Sequence, residues 1–120
     1  MTRRDLQIKM REQGRPWEIG KSFEQSAPIG PITPAAQAGD IANAEIFVQV
    51  NGKDRQRSNV SKLIWNLGEI IEHVSAAWDI APGDLIFTGT PEGVAAVSPG
   101  DTLKARVDGV GSLQVQIVEG

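Results

Sequence analysis

Apolar residues keep helical spacing in one stretch of the chain and alternate with polar ones in others. Val60, Ile64, Leu67, Ile71, Val74 and Trp78 form one stripe, widened by Leu63 and Ile70. Residues three and four apart share a helix face, so this spacing predicts a packed amphipathic helix over residues 61–77. Asn59 or Ser61 can cap its start. Residues 45–50 (Glu-Ile-Phe-Val-Gln-Val) predict a strand, and Asn51-Gly52 is a strong type I′ hairpin signal. The return from Lys53 to Arg57 is polar and predicts an edge strand. Pro82-Gly83-Asp84 is a turn before the short apolar strand expected at Leu85-Ile86-Phe87. Pro99-Gly100-Asp101 repeats the turn before an expected strand from Leu103 to Val107. Leu113, Val115 and Ile117 then alternate with polar residues, as a half-buried strand does.

The first third is more polar. Residues 2–13 predict a helix with a thin stripe of Leu6 and Met10, capped by Thr2 and stopped at Gly14. Four of the seven prolines fall in residues 15–34, which predicts a long loop of the kind that often carries function. Trp17 and Phe23 can pin that loop to the core. The expected class is α+β and β-rich, with one main packed helix, and 120 residues suit a single domain spanning 1–120.

Composition narrows the possibilities. The hydrophobic fraction, 40%, is that of a folded domain, and no apolar run is long enough to span a membrane. The N-terminus has no secretory pattern, because Asp5, Gln7, Lys9 and Arg11 occupy the place of an apolar stretch. The absence of cysteine removes disulfides, thiolate nucleophiles and Cys-ligated zinc, and is compatible with a cytoplasmic location. Net charge is −3, but residues 1–21 hold six basic side chains against three acidic ones. A local basic segment on an acidic chain suits an anionic small molecule, and a solvated helix surface accounts for it equally. The acidic balance, the lack of tyrosine and the absence of a module signature argue against nucleic acid.

Candidate chemistry is sparse. There is one histidine and no Glu-x-Glu or Asp-x-Asp pair, so a self-contained metal centre is not expected. Glu69, Glu72 and His73 fit the solvated side of the predicted helix. Gly20-Lys21-Ser22 lacks the earlier glycine and the preceding strand of a phosphate loop. Thr88-Gly89-Thr90-Pro91-Glu92-Gly93 reads either as a strand-exit turn or as a loop whose glycines let backbone approach a ligand. Lys21, flanked by Trp17 and Phe23, reads either as a snorkelling surface lysine or as a fixed cation for an enolate or carboxylate.

Seven motifs occur in order: Thr2-Arg3-Arg4-Asp5-Leu6-Gln7, Gly14-Arg15-Pro16-Trp17, Gly20-Lys21-Ser22-Phe23, Ala27-Pro28, Val50-Asn51-Gly52, Pro82-Gly83-Asp84 and Thr88 through Val94. Together they resemble the C-terminal portion of the fumarylacetoacetate hydrolase superfamily, and are most similar to its acylpyruvase and fumarylpyruvate hydrolase branch. The resemblance implies a mixed β-roll, commonly a homodimer, and a Mg²⁺- or Mn²⁺-dependent cleavage of a C–C bond in β-dicarbonyl acids. It places Lys21 near metal and substrate, Gln7 on the substrate, Thr90 at the substrate carboxylate, and Arg4 in a structural or anion-orienting role. It also implies that the family's metal-binding Glu-x-Glu pair and Asp, and its water-activating His and Glu, belong upstream of Met1. His73 does not match that histidine. The expectation is therefore part of a hydrolase for acylpyruvate-like 2,4-dioxo acids, with little activity or tight metal binding alone. It would be completed by an upstream segment, a partner chain or a homodimer. The rival expectation is a non-catalytic dimerisation or oxo-acid-binding module.

Overall fold

The computed structural model describes residues 1–119. Contacts divide the chain into two units, Met1–Gly30 and Pro31–Gly120.

In the first unit, helix α1 spans Arg4–Glu12 and helix α2 spans Glu18–Lys21. The N-cap of α1 is Arg3, without a side-chain cap, rather than Thr2 as the sequence predicted. The reason is competition, because the Thr2 hydroxyl accepts a hydrogen bond from Lys21 Nζ at 3.0 Å. The helix stops where expected. Gly14 N–H donates to Arg11 O and Arg15 N–H to Met10 O, the paired bonds of a Schellman motif. Residues 15–34 are not all loop, since α2 interrupts them. Gly20 is the buried residue of α2, and a Cβ there would lie 3.0 Å from Gln7 N and 3.1 Å from Arg3 O. The two helices touch through backbone at this point, which a larger residue would prevent.

In the second unit, strands β1 (Glu45–Val50), β2 (Lys53–Asn59), β3 (Thr102–Val107) and β4 (Gly111–Gln116) form one sheet in the order β2-β1-β3-β4. All three pairings are antiparallel, so the strands described do not show a mixed sheet. Asn51 and Gly52 both take positive φ, 51° and 77°, as a type I′ turn requires. The expected edge strand is present and runs to Asn59, and β2 lies at the end of the sheet. The register gathers Ile46, Val48, Ala105, Val107 and Leu113 on one face. On the other, Phe47 lies between the guanidinium groups of Arg57 and Arg106, each 5.1 Å from its ring. Asp101 fastens the hairpin to β3. Its carboxylate accepts from Asn51 Nδ2 at 2.7 Å and from Ser98 N at 2.8 Å, and both bonds hold its pKa below the usual aspartate range.

Helix α3 spans Leu67–Ser75, shorter than the stretch predicted. Val60–Lys62 instead forms a 3₁₀ turn capped by Asn59, and a capping box starts α3. In that box Glu69 N–H donates to Asn66 Oδ1 at 3.0 Å, while Asn66 N–H donates to Glu69 Oε2 at 2.7 Å. Glu69 is thus a cap rather than a free surface carboxylate. His73 stacks on Trp65, with ring centroids 4.2 Å apart. No residue of α3 is buried, so the expected packed helix shows an open stripe instead. The expected strand at Leu85-Ile86-Phe87 does not form either. A strand exists only by pairing, and among the described residues no strand pairs with this segment.

The buried hydrophobic core among the described residues is Ala38, Ala44 and Val50. Ile64, Trp78 and Phe87 are 97%, 69% and 64% exposed. The accessible surface of 9233 Å² exceeds the roughly 6,300 Å² of a compact monomer of this mass. It also exceeds the roughly 7,400 Å² of two separate globules matching the two units. No helix among the described residues is long and apolar enough to cross a membrane.

Candidate functional site

The residues singled out in the sequence fall into both units. In the first, Arg4 and Gln7 sit one turn apart on α1, and Arg4 Nη1 donates to Gln7 Oε1 at 3.3 Å. Gly20 lays the backbone of α2 against Gln7 N, and Arg3 N–H donates to Gly20 O at 2.9 Å. Lys21 follows directly, with its ammonium on Thr2. The unit therefore ties the segments bearing Arg4, Gln7 and Lys21 into one cationic patch. The expected aromatic shielding of Lys21 is not seen. Phe23 lies under the guanidinium of Arg3, 4.4 Å from ring to cation, and Trp17 is 45% exposed. Lys21 itself is exposed.

Thr90 belongs to the second unit, in the segment from Thr88 to Gly93. There Gln56 of β2 reaches the loop, with Nε2 2.9 Å from Thr90 Oγ1, 2.7 Å from Pro91 O and 3.2 Å from Glu92 O. Gly93 comes so close that a Cβ on it would stand 2.3 Å from Arg55 O. The sequence reading passed over Gln56 because it sits in the polar run Lys53–Asn59. No signal in the sequence gives its place. A two-residue turn at Asn51-Gly52 would set Arg55 opposite Val48, and a bulge instead shifts Gln56 there, onto the face of Ile46 and Val48, where a polar side chain needs a partner.

A cleft of about 780 Å³ opens beside this loop. Ile46, Val60, Leu63, Ile70 and Phe87 supply much of its wall, and Thr88 and Thr90 bring hydroxyls to it. Its surface is mainly apolar, suited to covering by other apolar groups and offering few contacts to a dianion.

The described residues were also tested as a metal site. No three His, Cys, Asp or Glu side chains among them come together. The donors present do not make a site for a divalent cation, so no chemical step is assigned to one here.

The chain thus consists of a helical unit that carries Arg4, Gln7 and Lys21 and an α+β unit with a four-stranded antiparallel sheet that carries Thr90. The profile of the fumarylacetoacetate (FAA) hydrolase C-terminal family matches residues 1–118, and the chain belongs to that family. Fumarylpyruvate hydrolase of Ralstonia sp. is 46% identical over 117 residues, covering 98% of this chain and 60% of that protein. Oxaloacetate tautomerase of Escherichia coli (strain K12) is 37% identical over 110 residues, covering 91% of this chain and 50% of that protein. The crystal structure of fumarylpyruvate hydrolase from Pseudomonas aeruginosa, in complex with Mn²⁺ and pyruvate, matches with a TM-score of 0.96 at 54% identity. It covers 100% of this chain and 52% of that one. The chain thus spans between half and three-fifths of the length of these relatives.

Proposed function

We propose that the chain forms the substrate-holding part of a metal-dependent hydrolase that cleaves a C–C bond in acylpyruvate-like 2,4-dioxo acids, fumarylpyruvate or a close analogue. The observation that carries this reading is the match along the whole chain to a fumarylpyruvate hydrolase crystallised with Mn²⁺ and pyruvate. Lys21 places positive charge where the enolate develops on cleavage, and stabilising charge that forms in the transition state is the main lever on such a step. Gln7 contacts the oxo acid, Arg4 orients the anion, and the Thr90 hydroxyl donates to its carboxylate. Six basic side chains in residues 1–21 give the first unit a charge that suits a dianionic substrate. Mg²⁺ or Mn²⁺ enters with carboxylates from outside the chain.

The open apolar face supports a covering polypeptide. The surface in excess of two separate globules is roughly 1,800 Å², about twice the 800 Å² or so that one partner buries in a standard protein–protein interface. We assign the cover to a segment equivalent to the half of the relatives that this chain does not span, with a homodimer as the other arrangement to be measured.

Joining this chain to the N-terminal half of the Pseudomonas aeruginosa enzyme tests the reading, with fumarylpyruvate and oxaloacetate as substrates and Mg²⁺ or Mn²⁺ present. Hydrolysis that drops at least a hundredfold in Lys21→Ala supports it. A folded, Mn²⁺-binding assembly that turns over neither substrate overturns it in favour of a non-catalytic module. Submicromolar binding of Mn²⁺ by this chain alone would contradict the assignment of the carboxylates to another segment.

A further inference from the structure

We infer that Gln56 is a positioning residue for Thr90, clamping its loop onto β2 and directing the Thr90 hydroxyl proton away from the sheet toward a ligand. The Gln56 amide points at a group of loop oxygens. Three oxygens stand within 3.2 Å of Nε2, and two of them, Pro91 O and Glu92 O, are carbonyls that can only accept. The side chain must therefore turn its NH₂ end to the loop, and its two hydrogens are shared among three acceptors. Thr90 Oγ1, at 2.9 Å, is the third. A hydroxyl that accepts from an amide N–H has its own hydrogen left for another acceptor. Thr90 is exposed and lines the cleft, so that hydrogen is available to a carboxylate.

Two further observations show that the contact is built in. The pairing of Gln56 with Val48 puts a half-buried amide on the face that carries Ile46, Val48 and Ala105, where it needs the loop as much as the loop needs it. Gly93, three residues past Thr90, lies against the backbone of Arg55, the neighbour of Gln56. The loop is thus held to β2 at both Thr90 and Gly93. It bears on function only through the proposed role of Thr90, and rests on that reading.

The test uses Gln56→Met, which keeps shape and removes the donors, Gln56→Glu, which reverses the polarity, and Thr90→Val, which removes the hydroxyl alone. In the full chain, the backbone ¹⁵N order parameters of residues 90, 92 and 93 should fall from the roughly 0.85 of rigid backbone toward about 0.6 in both Gln56 variants, while hydrogen exchange at the amides of β3 and β4 stays unchanged. Thr90→Val should leave those order parameters near the parent's, because the two carbonyl bonds remain. In the joined enzyme, Gln56→Glu should raise KM for fumarylpyruvate at least tenfold while kcat moves less than threefold. That KM effect should disappear in the Thr90→Val background. Unchanged loop order parameters in Gln56→Met overturn the clamp, and a KM effect that persists without the Thr90 hydroxyl overturns the proton-directing role. If the parent enzyme turns over nothing while the loop still loosens, the proposed activity fails and the clamp stands. A Gln56 variant whose β3 and β4 amides also lose protection would make Gln56 a general fold residue, against the inference.

Discussion

Substitution of Gly93 and Gly89 by alanine separates backbone strain from collision in the Thr90 loop. Both glycines have φ in the left-handed half of the map, 98° at Gly89 and 92° at Gly93. An L-residue held there costs about 1–3 kcal/mol. Their surroundings differ. A Cβ at Gly89 meets nothing within 4 Å, whereas one at Gly93 falls 2.3 Å from Arg55 O and 3.3 Å from Gln56 Cγ. Arg55 is the bulged residue of β2, without a partner on β1, but both of its neighbours are paired, Asp54 with Gln49 and Gln56 with Val48, which limits how far its carbonyl can withdraw. The loop must lift instead, stretching the hydrogen bonds from Gln56 to Thr90, Pro91 and Glu92, each about 1 kcal/mol net. Gly89→Ala is therefore expected to cost about 1–3 kcal/mol, and Gly93→Ala about 2 kcal/mol more. The extra loss is capped near 3 kcal/mol, because once the loop is free the collision disappears. Urea unfolding of the joined protein measures both, with an unchanged m-value showing that the unfolded states are comparable. Equal losses, or the larger loss at Gly89, would refute the reasoning that the Gly93 backbone is wedged against β2.

The remaining expectations concern other parts of the chain. Asn66→Ala removes the acceptor of the α3 capping box and should cost about 1 kcal/mol, read as a loss of helical circular dichroism and a lower urea midpoint. Asp54, bonded by Gln49 and Arg57, and Asp101, bonded by Ser98 and Asn51, both have folded pKa values below the ordinary range. Their contribution to stability is present above an unfolded pKa of about 3.9 and is lost as pH falls through the lower folded values. The acid limb of a stability–pH curve should flatten in Asp101→Asn, and an unchanged limb would remove that carboxylate from the account. Thr2→Val deletes the oxygen that holds Lys21 Nζ. It should raise KM several-fold in the joined enzyme without shifting the melting temperature by more than a few degrees, and an unaltered KM would show that this bond does not direct the lysine.

Local signals in the sequence resolved into local structure where the chain itself supplies both partners. Asn51-Gly52 makes its hairpin because its two positive φ angles need only the residues on either side. Gly14 and Arg15 end α1 by bonds to Arg11 and Met10 respectively, again within reach of the same turn. The site was less legible for a related reason. Thr2 looks like a cap until Lys21, nineteen residues away, takes its hydroxyl. Gln56 looks like one more polar residue of an edge strand until register sets it opposite Val48, and until a loop thirty-four residues later brings three oxygens to it. Spacing along a chain reports which faces exist, and cannot report which distant atom will occupy a donor.

The apolar stripe of α3 and the segment Leu85-Ile86-Phe87 carry this further. The sequence pattern of each predicts a partner inside the chain, for a packed helix in one case and a paired strand in the other. Burial pattern in a sequence records that a side chain is meant to leave water, at about 25 cal/mol per Å² of apolar surface. It does not record what covers it. The same letters fit a helix packed on its own sheet and a helix packed by another polypeptide, and the two differ only in the third dimension. With Ile71 51% exposed and Phe87 64% exposed, the helix and the strand-like segment keep their pattern and lack the partner that the pattern demands. Ile70, Val74 and Phe87 put part of that unmet demand on the wall of the cleft beside Thr90. The surface that waits for a covering segment and the loop proposed to hold the substrate are thus one region, so covering the first would also enclose the second.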